Sequence, residues 1–319
     1  MTDLHWVVGS GGLLGSAVVR SLRSAGEAVF AGPQVRWATD NAAADLRDGL
    51  HRLVEAAGVG GWRVYWCAGV GVTGSRAESL RTEVDRFEAL TGAIAGLPRD
   101  VQTRGAIFVA SSAGAAYAGS HGAPFDELSV PVPLGEYGHA KLAIEAAAGL
   151  LTVESSTRCI VGRIANLYGL GQSLAKPQGL ISHLCRSYVS RAPLSVYVPL
   201  DTLRDYIFVD DCADLIVKAV RRVGSDESPR HVTKILASGR SVSIGALLGE
   251  FRRVVGRRPE IIMGSSPVSS LQSRDLRLRS VVLADLDRQP MTNLADGIAR
   301  TLEEVRALTL APSRRIRAD

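Results

Sequence analysis

Two side chains at helical spacing, Tyr137 and Lys141, have the chemistry of an acid–base pair. Residues four apart on a helix share one face, so the ammonium can lie beside the phenol and favour its ionised form. A phenol has a pKa of about 10 in water, and lowering it makes the group usable as a general acid or base near neutral pH. The same pattern also occurs as an exposed tyrosine next to a solvated lysine.

A serine upstream favours the catalytic interpretation. Ser112 ends an apolar run and precedes Tyr137 by 25 residues. In open α/β folds, ligands bind at the carboxyl ends of the strands, which is where a strand-terminal hydroxyl would face. Ser111 is the neighbouring alternative to Ser112. The sequence therefore predicts a cleft lined by a serine, a tyrosine and a lysine.

A glycine-rich turn near the start of the chain predicts a dinucleotide site. Gly9, Gly12 and Gly15 follow a short apolar run and precede apolar positions that recur every four residues. A pyrophosphate needs backbone N–H groups at a helix N-terminus and no Cβ in its path, and this pattern provides both. The alternative is a tight strand-to-helix turn without a ligand; the strand–helix–strand context favours the dinucleotide.

The elements that must position these residues alternate along the first half of the chain. Apolar runs predict strands at 4–8, 28–31, 62–67, 105–112 and 158–167, and helical periodicity predicts helices at 12–25, 46–57, 77–97, 136–153 and 293–308. Near-continuous apolar strands between helices are typical of an α/β fold, a Rossmann-like doubly wound parallel sheet. Prolines punctuate the chain beyond Gly169, which indicates a smaller C-terminal α/β lobe.

The predicted organisation has three parts. Residues 1–169 form a dinucleotide-binding domain to which some later segments return, residues 170–310 form mainly a substrate lobe, and residues 311–319 form a basic tail.

Composition excludes several classes of protein. With 46% hydrophobic and 22% charged residues in 319, the chain is neither disordered, collagen-like nor a disulfide scaffold. A net charge of +5, spread thinly, does not imply a nucleic-acid partner. The absence of a signal-peptide pattern and of an apolar run of roughly 20 residues predicts a cytoplasmic protein without a membrane span. Widely spaced cysteines within apolar runs predict buried thiols and no metal site: Cys67, Cys159, Cys185 and Cys212.

Taken together, the motifs resemble the extended short-chain dehydrogenase/reductases, specifically the nucleotide-sugar epimerase/dehydratase family. The resemblance covers nearly the whole chain and rests on the glycine turn, the Ala-Ser-Ser strand end, the tyrosine and lysine, and the segments 163–169 (RIANLYG) and 204–211 (RDYIFVDD). It implies an NAD(P)-dependent oxidoreductase that acts at C4 of a nucleotide sugar.

The resemblance also implies residue roles. Tyr137 would be the acid/base on the sugar hydroxyl or ketone, Lys141 would bind the nicotinamide ribose, and Ser112 would donate a hydrogen bond to the reacting oxygen, with Ser111 also on the substrate side. The implied cofactor contacts, besides Tyr137 and Lys141, are Gly9, Gly11, Gly12, Leu13, Leu14, Gly15, Arg36, Cys67, Ala68, Gly69 and Ile164.

Asn166 and Arg204 match positions that hold the substrate diphosphate in this family. A guanidinium fork suits phosphate oxygens, which supports this interpretation of Arg204. The alternative for Arg204 is an ion pair with Asp205 or Asp210.

Three features depart from the family pattern. NAD-preferring members carry an acidic residue at the end of the second strand, whereas residues 31–36 read AGPQVR. The missing acid and the nearby Arg36 favour NADP(H), and NAD(H) remains possible if Arg36 points to solvent. Ala113 and Gly114 replace the Asp-Glu pair of dehydratases, which disfavours dehydration. On the nicotinamide side, residues 67–69 read CAG instead of apolar-Ala-Ala, and residues 82–85 read TEVD where an asparagine is common.

Three functions follow from these residues. The favoured one is a 4-ketoreductase of an NDP-4-keto-hexose, which draws on NADPH. The second is an NDP-sugar 4-epimerase with tightly bound NAD, and the third is a non-catalytic dinucleotide-sensing regulator. From the resemblance we also predict a homodimer paired through the helices at 77–97 and 136–153.

Overall fold

The computed structural model describes residues 3–69, 71–172, 179–224, 229–265 and 271–310. The strands are β1 (Leu4–Val8), β2 (Ala28–Val29), β3 (Trp62–Trp66), β4 (Gly105–Ser112), β5 (Arg158–Ile164), β6 (Asn166–Tyr168), β7 (Leu194–Val196), β8 (Leu203–Phe208), β9 (His231–Leu236), β10 (Ser241–Ser243), β11 (Ile261–Met263) and β12 (Asp275–Leu276). The helices are α1 (Leu13–Ser24), α2 (Ala42–Ala57), α3 (Ala77–Ala95), α4 (Arg99–Gln102), α5 (Ala113–Ala116), α6 (Glu136–Glu154), α7 (Leu180–Ser190), α8 (Val209–Val223), α9 (Ile244–Val255) and α10 (Leu294–Leu310).

A six-stranded sheet in the order β2-β1-β3-β4-β5-β9 forms the centre of the molecule, and every neighbouring pair in it is parallel. Its two faces bury separate apolar clusters, one under α1 and α8 and the other under α2, α3 and α6. The predicted Rossmann-like doubly wound sheet is confirmed. The strand order reverses between β1 and β3, and such a switch point opens a crevice at the carboxyl ends of the strands.

Local periodicity located most of the ten predicted elements to within a few residues, with two exceptions. The predicted strand 28–31 pairs only at Ala28 and Val29, and the predicted strand 158–167 divides at Ala165. β5 stays in the central sheet, whereas β6 pairs with β8 in a second sheet. β5 is buried at every residue after Arg158, whereas β6 begins with the exposed Asn166 and the half-buried Leu167. The residue types of 158–167 do not say which strand each half pairs with.

The second body is built around the sheet that β8 organises. β8 pairs with β10, β12 and β6, and a two-stranded sheet joins β11 to β7. α7, α9 and α10 cover this region with an apolar cluster that includes Tyr168, Phe208, Ile298 and Leu302. Later segments also return to the central sheet, since β9 is its edge strand and α8 packs on α1. The predicted tail 311–319 lies outside the described residues.

Among the helices in the described ranges, none is both long enough and apolar enough to cross a membrane.

Candidate active site

The glycine turn joins β1 to α1 directly beside the end of β3. Gly9 has a φ of +88°, and a Cβ there would lie 2.7 Å from the Ala68 backbone nitrogen. A Cβ on Gly15 would lie 2.2 Å from the Gly9 carbonyl oxygen. No described side chain caps the N-terminus of α1 at Gly12, so backbone N–H groups of its first turn are available to a ligand. These close approaches, with free donors at a helix N-terminus, fit a dinucleotide pyrophosphate.

A cavity of about 470 Å³ opens between this turn and the end of β2. None of the described residues that line it is acidic, in keeping with the missing acid of residues 31–36. One basic side chain, Arg23 of α1, does line it. Arg23 was not predicted from the sequence. The only feature that pointed to it was its position in the last turn of the helix that follows the glycine turn. Other lining residues are Gly9, Ser10, Gly11, Phe30, Gln34 and Trp37.

Arg36, the residue predicted to lie near the adenosine ribose, is held by a carboxylate. Its Nη2 donates to Asp45 Oδ1 at 2.6 Å and its Nε donates to Asp45 Oδ2 at 3.0 Å. These hydrogen bonds lower the pKa of Asp45 to about 2. The Arg36 guanidinium is therefore already paired with Asp45, and Arg23 is the arginine that lines the cavity.

The tyrosine and lysine lie together at the first turns of α6. The Lys141 ammonium nitrogen is 5.7 Å from the centre of the Tyr137 ring. Lys141 is buried and donates to Glu83 Oε1 of α3 at 2.8 Å. Burial alone would lower the pKa of Lys141, but the facing Tyr137, Glu83 and Glu145 outweigh burial and hold that pKa above its ordinary value. The lysine therefore stays charged beside the phenol.

The two serines at the end of β4 point in opposite directions, as successive strand residues do. Ser112 is partly exposed, and its Oγ accepts a hydrogen bond from the Ala115 N–H at 3.3 Å, which caps α5. Ser111 is buried, and its Oγ donates to Glu145 Oε1 at 2.5 Å. Burial and this hydrogen bond disfavour the substrate contact predicted for Ser111, because its hydroxyl is engaged in the interior. Of the two serines, Ser112 has the more accessible side chain.

A buried polar network that sequence reasoning missed supports this strand end. Arg163 donates to Glu145 through Nη2 at 2.7 Å and to the Tyr117 hydroxyl through Nη1 at 2.7 Å. Burial works against the charge of Arg163, but the Glu145 carboxylate raises the Arg163 pKa above its usual range. Tyr117 in turn donates to the Asp126 carbonyl. The network ties β4, β5 and α6 together behind the tyrosine and lysine.

Asn166 and Arg204, the residues predicted to hold a diphosphate, lie on the paired strands β6 and β8. The exposed Asn166 donates from Nδ2 to the Asp205 carbonyl at 2.9 Å. Arg204 is buried, donates to the Leu203 carbonyl at 2.8 Å, and forms no ion pair with another described residue. The predicted alternative, a pair with Asp205 or Asp210, is therefore not the arrangement found: Asp210 binds Arg20 and Arg300 instead.

The remaining predicted cofactor contacts gather at the same edge of the central sheet. Cys67 and Ala68 follow the end of β3, and Ala68 lies against Gly9 of the glycine turn. Ile164 ends β5 and pairs in register with Ser112 of β4. The carboxyl ends of β1, β3, β4 and β5 thus bring the glycine turn, the serine and the expected nicotinamide side into one crevice.

A doubly wound parallel sheet with a glycine turn under a helix N-terminus, and a tyrosine and lysine at its carboxyl edge, defines the short-chain dehydrogenase/reductase class. The model of the NAD dependent epimerase/dehydratase family matches residues 6–233, and the chain belongs to that family. The family resemblance predicted from the motifs is therefore confirmed.

Individual relatives are distant in sequence. The dTDP-4-dehydro-6-deoxyglucose reductase of Escherichia coli is 24% identical over 200 residues, which is 63% of this chain and 61% of the reductase, so the match spans less than two thirds of that relative. MoeE5 in complex with UDP-glucuronic acid and NAD has a TM-score of 0.73 at 24% identity, covering 96% of this chain and 99% of MoeE5. The UDP-glucose 4-epimerase of Thermotoga maritima, with UDP-glucose, has a TM-score of 0.76 at 18% identity, covering 97% of this chain and 100% of the epimerase. These two structures show the shared fold.

Proposed function

We propose that this protein is an NAD(P)-dependent oxidoreductase acting at C4 of a nucleotide sugar, and more narrowly a 4-ketoreductase of an NDP-4-keto-hexose. The observation that carries the proposal is the position of the charged Lys141 ammonium, 5.7 Å from the Tyr137 ring, at the sheet edge where Ser112 ends β4. A nicotinamide dinucleotide supplies the hydride when it is bound. The chain itself supplies the proton and holds the ketone.

The acid–base step uses three residues. The Tyr137 hydroxyl donates its proton to the C4 oxygen of the sugar as that oxygen gains negative charge. The partly exposed Ser112 hydroxyl donates a hydrogen bond to the same oxygen, which fixes its position. The buried Lys141 ammonium stabilises the phenolate that remains after proton transfer, and proton exchange with water then restores the phenol.

For the cofactor we propose NADP(H). The adenosine-side cavity has no acidic lining residue in the described part of the chain, and Arg23 lines it. A guanidinium attracts the additional phosphate of NADP(H), whereas an acidic residue would repel it. Replacing Arg23 by Gln is expected to weaken NADPH binding by about tenfold, the loss of roughly one charge-assisted hydrogen bond, and to leave NADH binding nearly unchanged. Equal losses for both dinucleotides would contradict this assignment.

For the substrate we propose that Arg204 and Asn166 bind the diphosphate. The Arg204 guanidinium is buried and has no carboxylate partner among the described residues, so an anion such as a diphosphate would compensate its charge. The exposed amide of Asn166 lies on the neighbouring strand. Replacing Arg204 by Lys keeps a charge but removes the planar fork, and is expected to raise KM with a smaller effect on kcat.

The test of the reaction is direct. Purified protein is mixed with NADPH and dTDP-4-dehydro-6-deoxyglucose, the substrate in the name of the Escherichia coli relative, and NADPH oxidation is followed by absorbance. One sugar should be reduced for each NADPH consumed, and Tyr137→Phe should abolish turnover while retaining NADPH binding. Equal turnover by wild type and Tyr137→Phe would refute the proposal.

The second candidate is a 4-epimerase, favoured by the likeness of the whole fold to the Thermotoga maritima UDP-glucose 4-epimerase. It uses the same tyrosine, lysine and serine but returns the hydride to the opposite face of the sugar. Inversion at C4 with no net consumption of NADPH, by a protein that purifies with bound NAD, would establish it in place of the reductase.

We further propose a homodimer formed through α3 and α6, which pack side by side. On α6, Leu150 is 54% exposed and Val153 is 79% exposed. Replacing both by Lys should convert a dimer to a monomer in sedimentation analysis, because burial of their apolar surface would be lost. A wild-type monomer at micromolar concentration would rule out this assembly.

A further inference from the structure

Glu83 is a buried carboxylate that contacts the proposed catalytic lysine. It lies on α3, and both its side chain and that of Lys141 are only 8% exposed. One oxygen, Oε1, accepts from the Lys141 ammonium at 2.8 Å, and the other, Oε2, accepts from the Gly71 N–H at 3.3 Å. Glu83 is therefore fixed at both oxygens, between the loop after β3 and the first turns of α6.

Two glycines make room for this carboxylate. A Cβ on Gly69 would lie 2.8 Å from Glu83 Oε1, and a Cβ on Gly71 would lie 3.3 Å from Oε2. Gly69 occupies the position where the family pattern has alanine, and Glu83 lies in the helical segment where an asparagine is common. The glycine at 69 and the glutamate at 83 are therefore compatible with each other, because the Glu83 carboxylate fills the space that the methyl group of an alanine at 69 would take.

We propose that Glu83 is a positioning residue that fixes the Lys141 ammonium and offsets its charge at Tyr137, which favours the phenol as a proton donor. This inference rests on the proposed role of Tyr137 as the acid in ketone reduction. By favouring Tyr137 as a proton donor, Glu83 would favour net reduction of the sugar ketone.

The charges around Lys141 support this balance. The ionisable groups that face it are Tyr137 and Glu145 on α6 and Glu83 on α3. The Glu145 carboxylate is bonded to the Arg163 guanidinium, so its charge is already matched. Glu83 thus remains as the carboxylate that balances the ammonium.

Glu83 also lies close enough to act on the phenol itself. Glu83 Oε2 and Tyr137 Cδ2 are each 3.3 Å from the same point, the site of a Cβ on Gly71, and are separated by at most twice that distance. The Lys141 nitrogen is 5.7 Å from the ring centre. Opposite charges at comparable distances cancel in large part, whereas an unopposed ammonium would favour ionisation of the phenol.

The experiment measures the pH at which Tyr137 ionises, by ultraviolet difference absorbance of tyrosinate. The signal of Tyr137 is isolated by subtracting the titration of Tyr137→Phe in the same background. Removing the carboxylate with Glu83→Gln should lower the midpoint by about one pH unit or more, the effect of a unit charge at this range in a partly buried site. The high-pH loss of NADPH-dependent reduction should move down by a similar amount.

Two further variants control the measurement. Asp85→Asn removes a carboxylate from the exposed side of the same helix, and it should leave the midpoint unchanged. Glu83→Gln combined with Lys141→Met removes both charges, and its midpoint should stay within about half a pH unit of the wild-type value because the pair is nearly neutral. Buried ion pairs generally tolerate such joint neutral replacement, so the double variant carries the test if Glu83→Gln alone does not fold.

An unchanged or higher midpoint in Glu83→Gln would overturn the inference. A rise of about one unit or more in the double variant would also overturn it, because it would show that the ammonium acts on the phenol unopposed. The titration requires no sugar substrate. Failure of the reductase assay with a normal titration would therefore refute the proposed reaction, whereas a failed titration with NADPH-dependent turnover would refute only the role of Glu83.

Discussion

Replacing Gly15 by Ala is expected to damage both the stability of the protein and its affinity for a dinucleotide. The added Cβ would lie 2.2 Å from the carbonyl oxygen of Gly9 and 2.7 Å from its carbonyl carbon. Ordinary van der Waals contact begins at 3.4 Å. Both opposing atoms belong to the backbone, so the glycine turn and α1 must separate by about 1 Å to accommodate the methyl group.

The size of the effect follows from that displacement. Overpacking of this kind costs about 1–3 kcal/mol. Unfolding of a chain of 319 residues carries an entropy of about 0.7 kcal/mol/K, so Tm should fall by about 1.5–4.5 °C. A shift of about 1 Å also takes a backbone N–H out of hydrogen-bond range of a phosphate oxygen, and losing one such bond, worth about 1.5–3 kcal/mol, raises Kd by about 10- to 150-fold.

The assay combines thermal unfolding with calorimetric titration of NADH and NADPH. Gly11→Ala is the matched control for stability, because no heavy atom among the described residues lies within 4 Å of a Cβ at that position. Its Tm should equal that of the wild type. If Gly15→Ala keeps the wild-type Tm and the wild-type affinity for both dinucleotides, the close approach of Gly15 to Gly9 does not constrain this turn, and the reasoning fails.

Three further predictions concern buried ionisable groups. Glu145→Ala leaves the Arg163 guanidinium buried without its carboxylate, which should cost about 3–5 kcal/mol and lower Tm by about 4–7 °C in thermal unfolding; an unchanged Tm would show that the network is dispensable. Burial outweighs the attraction of nearby carboxylates and lowers the pKa of His5 from 6.5, so the unfolded chain binds more protons than the folded one and stability should fall as the pH drops below 6.5. His5→Gln should reduce this pH dependence, and an identical profile would contradict it. Burial also raises the thiol pKa values, that of Cys185 to about 12, so iodoacetamide near the pKa of a free thiol, about 8.5, should modify the buried cysteines only after unfolding, as read by mass spectrometry.

Several features were predictable from the sequence because they depend on neighbouring residues. Short apolar runs between segments of helical periodicity predicted the parallel sheet, and the glycine spacing between β1 and α1 indicated the dinucleotide turn. The four-residue interval from Tyr137 to Lys141 placed both on one face of α6. In each case the pattern is local or recurs at a fixed period, so it can be recognised in the sequence without the tertiary structure.

Other features required the tertiary structure. Glu83 lies 58 residues from Lys141 along the chain, and no periodicity connects them. The same holds for Arg36 with Asp45, since only the fold shows that the guanidinium faces that carboxylate instead of the cavity. The division of the predicted strand 158–167 is likewise decided by partners distant in the chain, since β5 pairs with β9 and β6 pairs with β8.

The sequence by itself determined which chemistry this protein carries: a phenol beside an ammonium, a strand-terminal hydroxyl and a glycine turn. The tertiary structure decided which groups surround that chemistry, because burial, ion pairing and the direction of a side chain such as Ser111 depend on segments that meet only when the sheet and its helices assemble. The charge balance at the site therefore depends on tertiary contacts, since the electrostatic effect of a residue depends on its distance in space and on the solvent excluded around it.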